Sequence, residues 1–399
     1  MAKRLSIFVW VLALALLVSL APSAARAQNQ GVTGFGFKIY RVDSSLYPFT
    51  QVYFRTFDQN MDPLINLTEL NFGLMVAGRS YDPLKLQYTI QTLQNRQEAF
   101  RSVLVIDCSK TMEGEPFGYA LRAAARYVDS KRPQDEVAIL AIKDTATGWE
   151  VVSEFEKDGG ALARRIADMR PDGLSTRLYD SVAAAIAMCG TSSQGGATSL
   201  HANLIVSNSI VVISDGFDEG SALSREELNN RITNLAIPIP IYSFGYTQIN
   251  PSHLVNLESL SKNSLGRYYD VRTDGTALQR KVEDIQRNIL QGDYVITFRA
   301  YIPVDGAKHD FMVGVEYPRG SGKITYQSAQ FSAIQPPPLP PIRDAMVKLN
   351  GKLKPIPDGN PYLDSGDLEQ FMPKAGGGKA SSSSTDEFMP KAPAPAAPQ

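Results

Sequence analysis

The sequence contains few cysteines and no large excess of charge of either sign, and each of these features excludes a class of protein. Only two cysteines occur, Cys108 and Cys189, so the fold cannot depend on a disulfide framework. Forty basic and 41 acidic side chains give a net charge of −1, without the basic excess that favours a nucleic acid partner. Both cysteines lie in apolar segments, which favours two buried thiols; a single bridge between them is the alternative.

Histidine is also rare. His201 lies in a Ser/Gly-rich loop, His253 follows a Pro-Ser pair and His309 lies beside a turn. A hydrolase needs a nucleophile with a base, or a metal with an ordered water and a general base. None of the three histidines has metal-ligand spacing or an evident partner, so we interpret them as surface or capping residues. The sequence therefore predicts a protein that is not an enzyme.

Long apolar runs are confined to the first 30 residues. Lys3 and Arg4 precede an apolar run at 7–20, and the small residues Ala25 and Ala27 follow it. This is the pattern of a secretory signal peptide, 1–27, and the run is shorter than the ~20 residues of a membrane span. An uncleaved anchor is the alternative. We expect a periplasmic or secreted chain that has no membrane span after cleavage.

Two β-rich stretches flank the middle of the chain, one within 28–98 and the other within 293–334. The predicted strands are 51–57, 72–76, 294–302, 310–317 and 324–331. Neither stretch buries enough apolar surface to be stable alone. We therefore expect the two to pair into one small β-sandwich that the middle of the chain interrupts.

The middle of the chain, 99–292, alternates strands with amphipathic helices. The predicted strands are 102–106, 136–142, 150–155, 210–214, 239–244 and 267–271. Apolar spacings of three and four predict helices between them, and Ser224 with Glu227 forms a capping box. This alternation predicts an α/β fold with a doubly wound, mostly parallel, Rossmann-like sheet. Such sheets bind ligands at the carboxyl ends of their strands.

The last segment, 335–399, begins with a proline run and continues into a tail rich in Gly, Ser, Ala and Pro. This composition predicts an extended or disordered tail. The sequence Phe-Met-Pro-Lys-Ala occurs there twice, beginning at Phe371 and Phe388, each time after acidic residues. One interpretation is a tandem duplication without function. The other is a doubled binding motif for a second partner, anchored by Phe371 and Phe388.

Hydroxyl and carboxylate side chains follow three of the predicted elements in the α/β region. Asp107, Ser109 and Thr111 come directly after the first strand. Thr176 lies in a glycine-containing loop before a helix, and Asp215 follows the strand 210–214. Oxygen ligands of this kind suit a hard divalent cation. If the loops converge, three hydroxyls and two carboxylates surround one point.

These three segments resemble the metal-ion-dependent adhesion site of von Willebrand factor type A domains. The resemblance covers about 190 residues, in matching element order. It implies that Asp107, Ser109 and Thr111 occupy the Asp-x-Ser-x-Ser positions, Thr176 the threonine position and Asp215 the second aspartate. Thr111 stands where the family usually has serine. Threonine keeps the hydroxyl, but this departure puts the metal affinity in doubt. More loosely, 42–76 and 294–309 resemble the flanking strands of bacterial secreted proteins with this domain.

The resemblance implies that the protein binds a divalent cation, Mg²⁺ first and Mn²⁺ or Ca²⁺ as alternatives. A protein ligand that presents a carboxylate would complete the cation's coordination. We weigh two functions: an adhesion or assembly module, and a non-catalytic accessory subunit of an envelope enzyme or transporter complex. We interpret Asp218 as a solvated loop acid, with support of the Asp215 loop or of a coordinated water as the alternatives, and Lys110 as facing solvent.

Overall fold

Strands and helices cover most of the described chain. The computed structural model describes residues 34–60, 62–96, 99–191, 207–235, 238–247 and 250–356. The strands are β1 (Phe35–Leu46), β2 (Phe49–Asp58), β3 (Phe72–Val76), β4 (Arg79–Tyr81), β5 (Tyr88–Thr92), β6 (Phe100–Asp107), β7 (Glu136–Ile142), β8 (Trp149–Glu156), β9 (Ser207–Ser214), β10 (Ile241–Tyr246), β11 (Tyr268–Arg272), β12 (Asp293–Arg299), β13 (Lys308–Glu316) and β14 (Ile324–Ser332). The helices are α1 (Glu115–Ser130), α2 (Gly159–Asp168), α3 (Leu178–Thr191), α4 (Arg225–Thr233), α5 (Leu254–Asn263), α6 (Gly275–Gly292) and α7 (Pro340–Lys352).

A six-stranded sheet forms the centre of the molecule, in the order β11-β10-β9-β6-β7-β8. Neighbouring strands are parallel except for β8, which runs antiparallel to β7 at one edge. The central strand β6 is an almost continuous apolar run, buried from Ser102 to Asp107, as expected for a strand covered on both faces. The predicted doubly wound, mostly parallel sheet is confirmed.

Helices cover both faces of this sheet. Leu104 and Ile106 pack with α1, α2 and α6, whereas Val103 and Val105 pack with α3, α4 and α5. The alternation follows from the strand's period of two, which sends successive side chains to opposite faces. Helix α4 begins with the predicted capping box, in which Ser224 and Glu227 bond each other's backbone. The sheet is therefore held rigidly, with its strand ends free to carry loops.

Two four-stranded antiparallel sheets lie beside the central unit, and each contains strands from both ends of the described chain. In one sheet β12 lies between β2 and β5, and in the other β13 lies between β14 and β3. Their facing aromatic and aliphatic side chains form one apolar core, which includes Phe54, Phe298 and Val313. The predicted fold class, a doubly wound unit inserted into a small sandwich, is confirmed by this pairing.

Arg55, which forms an ion pair inside the sandwich, joins the sandwich to the α/β unit. Arg55 of β2 donates through Nε and Nη2 to the carboxylate of Asp293, at 2.6 and 2.8 Å. Its Nη1 also donates to the carbonyl of Leu265, which precedes β11. One arginine therefore binds both parts of the molecule at the point where α6 runs into β12.

The prediction of an extended or disordered segment from residue 335 is wrong for its first part. Helix α7 occupies Pro340–Lys352 and packs on the sandwich core through Ile342 and Met346. The proline run does not prevent this, because proline is compatible with the first turn of a helix. Residues 357–399, with Phe371 and Phe388, and the predicted signal peptide, 1–27, lie outside the described residues.

The two cysteines are free and buried on opposite faces of the central sheet, which excludes the bridge between them. Burial raises the pKa of Cys189 to about 12. Within the described ranges, no helix has the length and apolarity needed to cross a membrane.

Candidate metal centre

The loop after β6 holds its polar side chains through local hydrogen bonds. Asp107 is completely buried, and its Oδ1 accepts from the backbone N–H of Ser109 at 2.9 Å. The hydroxyls of Ser109 and Thr111 are 2.8 Å apart. A short 3-10 turn follows, and the buried side chain of Met112 anchors it in the core. The loop is thus fixed with one carboxylate and two hydroxyls close together.

The neighbouring strand β9 brings the second carboxylate to the same edge of the sheet. Asp215 follows β9 directly and is 6% exposed. The hydroxyl of Ser214 donates to Asp107 Oδ2 at 2.6 Å and accepts from the N–H of Gly216 at 3.0 Å. Ser214 therefore links the two carboxylate loops, and sequence analysis missed it because it occupies an ordinary strand position.

The loop that contains Gly173 and Thr176 is hydrogen-bonded to both of the other loops. Gly173 donates to the carbonyl of Cys108 at 3.0 Å and accepts from the N–H of Lys110 at 2.8 Å. The carbonyl of Thr176 accepts from the N–H of Glu219 at 2.6 Å. The Thr176 side chain is almost fully buried. All five candidate ligands, Asp107, Ser109, Thr111, Thr176 and Asp215, thus lie on three loops that hydrogen bonds hold together.

The electrostatics of the centre leave negative charge without a counterion among the residues that the structure describes. The pKa of Asp107 is raised to about 6, first by burial and then by the nearby charge of Asp215. Hydrogen bonds from Ser214 and Ser109 lower it only in part. Among the described residues, no lysine, arginine or histidine forms an ion pair with Asp107 or Asp215. Two close carboxylates in a buried site are stabilised by a cation.

The donor set fits a hard divalent cation. Carboxylate and hydroxyl oxygens suit Mg²⁺, Mn²⁺ or Ca²⁺, whereas Zn²⁺ prefers nitrogen and sulfur. In the part of the chain that the structure describes, no group of three His, Cys, Asp or Glu residues is placed to hold a metal ion. A cation at this centre would therefore depend on the three hydroxyls for most of its protein ligands.

Acidic residues near the centre have structural roles. Asp218 accepts from the N–H of Tyr179 at 3.2 Å and from the hydroxyl of Ser221 at 2.6 Å. Asp180 accepts from the N–H groups of Ala222 and Leu223. Asp218 thus supports the loop after β9, which was one of our alternatives, and the preferred interpretation of a solvated acid is wrong. Both carboxylates bind the start of α3 to that loop.

Four other residues were named from the sequence, Lys110 and the three histidines. Lys110 is exposed, as expected. The imidazole of His309 contacts Asp305 at 3.0 Å in the sandwich. The ring of His253 lies edge-on to Phe217, with centroids 4.9 Å apart. His201 falls outside the described residues.

Comparison with known proteins identifies the central unit. Residues 102–217 match the family model for the von Willebrand factor type A domain. No curated protein matches the chain. The structure is similar to a von Willebrand factor type A protein from Catenulispora acidiphila, with 12% identity, a TM-score of 0.41, and coverage of 77% of this chain and 75% of that chain.

Two further solved structures each match about half of this chain. The VWA domain of SpRpn10 has 16% identity and a TM-score of 0.36, covering 49% of this chain and 98% of that one. The vWF domain of the type V pili tip protein Mfa5 from Porphyromonas gingivalis has 14% identity and a TM-score of 0.35, covering 49% and 97%. The family assignment rests on the matched residues 102–217, which include most of β6, all of β9 and all five candidate ligands. The chain therefore contains a von Willebrand factor type A domain.

Proposed function

We propose that this protein is an exported binding protein that recognises a protein partner through a divalent cation. The observation that carries the proposal is the convergence of three loops around Asp107, a buried carboxylate that has no described basic partner. The cation would be held by Asp107, Ser109, Thr111, Thr176 and Asp215. Mg²⁺ is our first choice, with Mn²⁺ and Ca²⁺ as alternatives.

The chain's own residues would hold the cation and keep its ligands in position. Ser214 fixes one oxygen of Asp107, and the N–H of Ser109 fixes the other. Two carboxylates balance the formal charge of a divalent ion, but five protein ligands leave at least one coordination position open for another anionic oxygen. When bound, the cation would supply the electrostatic attraction for a partner's carboxylate.

Family membership supports a binding role. Von Willebrand factor type A domains are generally protein-interaction modules and are commonly non-catalytic. The basic start of the chain, its apolar run and Ala25 and Ala27 support export through a signal peptide. We therefore place the partner in the periplasm or outside the cell.

Partner capture in Mg²⁺ and in chelator tests this function. The wild-type chain, Asp107→Asn and Asp129→Asn would be compared on the same envelope extract, since Asp129 is an exposed carboxylate on α1. We expect the wild-type chain and Asp129→Asn to retain the same protein in Mg²⁺ and to release it in chelator. Asp107→Asn should capture nothing. Capture that is equal with and without chelator contradicts the proposal.

A further inference from the structure

Leu174 is an exposed apolar residue in the middle of the metal loops. Its relative exposure is 70%, although the residues on both sides of it are held in place. Gly173 makes two backbone hydrogen bonds to the loop after β6, and the hydroxyl of Ser175 donates to Asp144 at 3.3 Å. The loop therefore presents Leu174 to solvent in a fixed position, where covering it is favourable.

The position of Leu174 places it beside the candidate ligands. Gly173, its neighbour, bonds the backbones of Cys108 and Lys110, which lie between Asp107 and Thr111. Lys110 is exposed on the same loop. A ligand that reaches the proposed cation thus meets an ammonium group and an apolar side chain next to it. This surface fits an acidic segment with a large apolar residue close to its carboxylate.

The chain contains two such segments in its own C-terminal part. One is Glu369-Gln370-Phe371-Met372, and the other is Asp386-Glu387-Phe388-Met389. In each, a carboxylate lies one or two residues before phenylalanine. An extended chain advances about 3.3 Å per residue, so the carboxylate and the ring can engage neighbouring points on one surface.

The number of acidic Phe-Met segments and the length of chain that precedes them favour binding between molecules. The described residues contain one set of metal loops, whereas the sequence contains two acidic Phe-Met segments. The second segment therefore has no equivalent site in its own molecule. Glu369 and Glu387 follow Ile356, the last described residue, by 13 and 31 residues. Fully extended, these lengths span up to roughly 45 and 105 Å, enough to reach another molecule.

We propose that the segments 369–372 and 386–389 of one copy dock on the metal loops of a second copy of this chain. Phe371 or Phe388 packs against Leu174, and Glu369 or Glu387 completes the coordination of the cation. This inference rests on the proposed function, because it requires the cation. It assigns the protein metal-dependent self-association through its tail.

Sedimentation of the full chain over a concentration series, in Mg²⁺ and in chelator, tests this inference. The wild-type chain should associate in Mg²⁺ and dissociate in chelator. Leu174→Ser, and separately the double change Phe371→Ser with Phe388→Ser, should weaken association at least about tenfold, as for a central interface anchor. The matched control is Leu84→Ser, because Leu84 is also 70% exposed but lies in the sandwich. It should associate as the wild type does.

Magnesium titration calorimetry on the same proteins separates this inference from the proposed function. At a chain concentration below that of association, Leu174→Ser and the double phenylalanine variant should bind Mg²⁺ as the wild-type chain does, because linkage to association is then absent. If Mg²⁺ binds normally but the wild-type chain stays monomeric, the tail inference is wrong and the metal centre stands. If all variants associate as strongly as the wild-type chain does, the tail inference is also wrong and the metal centre stands. If no protein binds Mg²⁺, the proposed function and the inference both fail.

Discussion

The hydroxyl of Ser214 lies 2.6 Å from Asp107 Oδ2 and donates a hydrogen bond to it. This bond joins the ends of two adjacent parallel strands and fixes the orientation of a buried carboxylate. A second partner, the N–H of Ser109, fixes the other oxygen. Asp107 is thus oriented before any ligand arrives, which reduces the cost of binding.

Ser214→Ala should weaken Mg²⁺ binding by roughly 10- to 100-fold, the usual effect of removing a hydrogen bond that orients a metal ligand. Titration calorimetry measures the change in Kd. Ser328→Ala, at an exposed position of β14, is the control and should bind as the wild type does. An unchanged Kd in Ser214→Ala would show that this hydrogen bond does not prepare the centre.

The stability of the metal-free protein should fall as pH rises through about 6. The folded pKa of Asp107, about 6, lies above its ordinary value of 3.8. The protonated carboxyl of Asp107 therefore stabilises the fold fully when the pH is below 3.8, its ordinary pKa. This stabilisation is lost as the pH rises through about 6, the pKa in the folded protein. Thermal unfolding in chelator between pH 4 and pH 8 measures this, with Asp107→Asn showing a weaker dependence.

Asp107→Asn should also stabilise the metal-free protein at pH 8, by on the order of 1–3 kcal/mol, because it removes a buried charge. The amide can still accept from Ser109 and can donate to Ser214. Urea unfolding in chelator measures the free energy, and Asp129→Asn should leave it unchanged. If Asp107→Asn is less stable than the wild-type chain, the buried charge of Asp107 does not destabilise the metal-free protein.

Asp293→Ala should destabilise the protein by about 3–5 kcal/mol, because it leaves the buried charge of Arg55 unpaired. Urea unfolding reports the loss. Lys262→Ala breaks only an exposed pair with Glu258 and should cost less than about 1 kcal/mol. Equal effects of the two changes would contradict the stabilising role of the Arg55–Asp293 pair between β2 and β12.

Met346→Ala should cost about 2–5 kcal/mol, the usual effect of truncating a buried side chain. Met346 is completely buried under α7, whereas its neighbour Val347 is 51% exposed. Val347→Ala on the same helix is therefore the control and should change the unfolding free energy little. Should Met346→Ala unfold like the wild-type chain, α7 would not be part of the folded core.

Local patterns in the sequence predicted the central unit well. Apolar runs and helical spacing gave the strands and helices, and parallel strands bring their carboxyl ends to one edge of a sheet. The convergence of the Asp107 and Asp215 loops follows from that rule. Ser214 could not be identified this way, because only the packed structure shows that its hydroxyl points at Asp107.

Long-range pairing was harder to predict. Composition indicated that the two β-rich stretches pair, but the insertion of β12 between β2 and β5 depends on contacts more than 200 residues apart. Helix α7 was missed because its prolines suggested a linker. Its apolar residues Ile342 and Met346, four positions apart, were the signal that could have identified it.

Titration of Mg²⁺ into the full chain, with Asp107→Asn and Asp129→Asn beside it, is the most direct test of a metal centre at Asp107. We expect saturable binding of one cation by the wild-type chain and by Asp129→Asn, and none by Asp107→Asn. Circular dichroism of each protein would establish that all three are folded. Equal binding by all three folded proteins, or no binding by any of them, would contradict the claim that Asp107 lies at a metal centre.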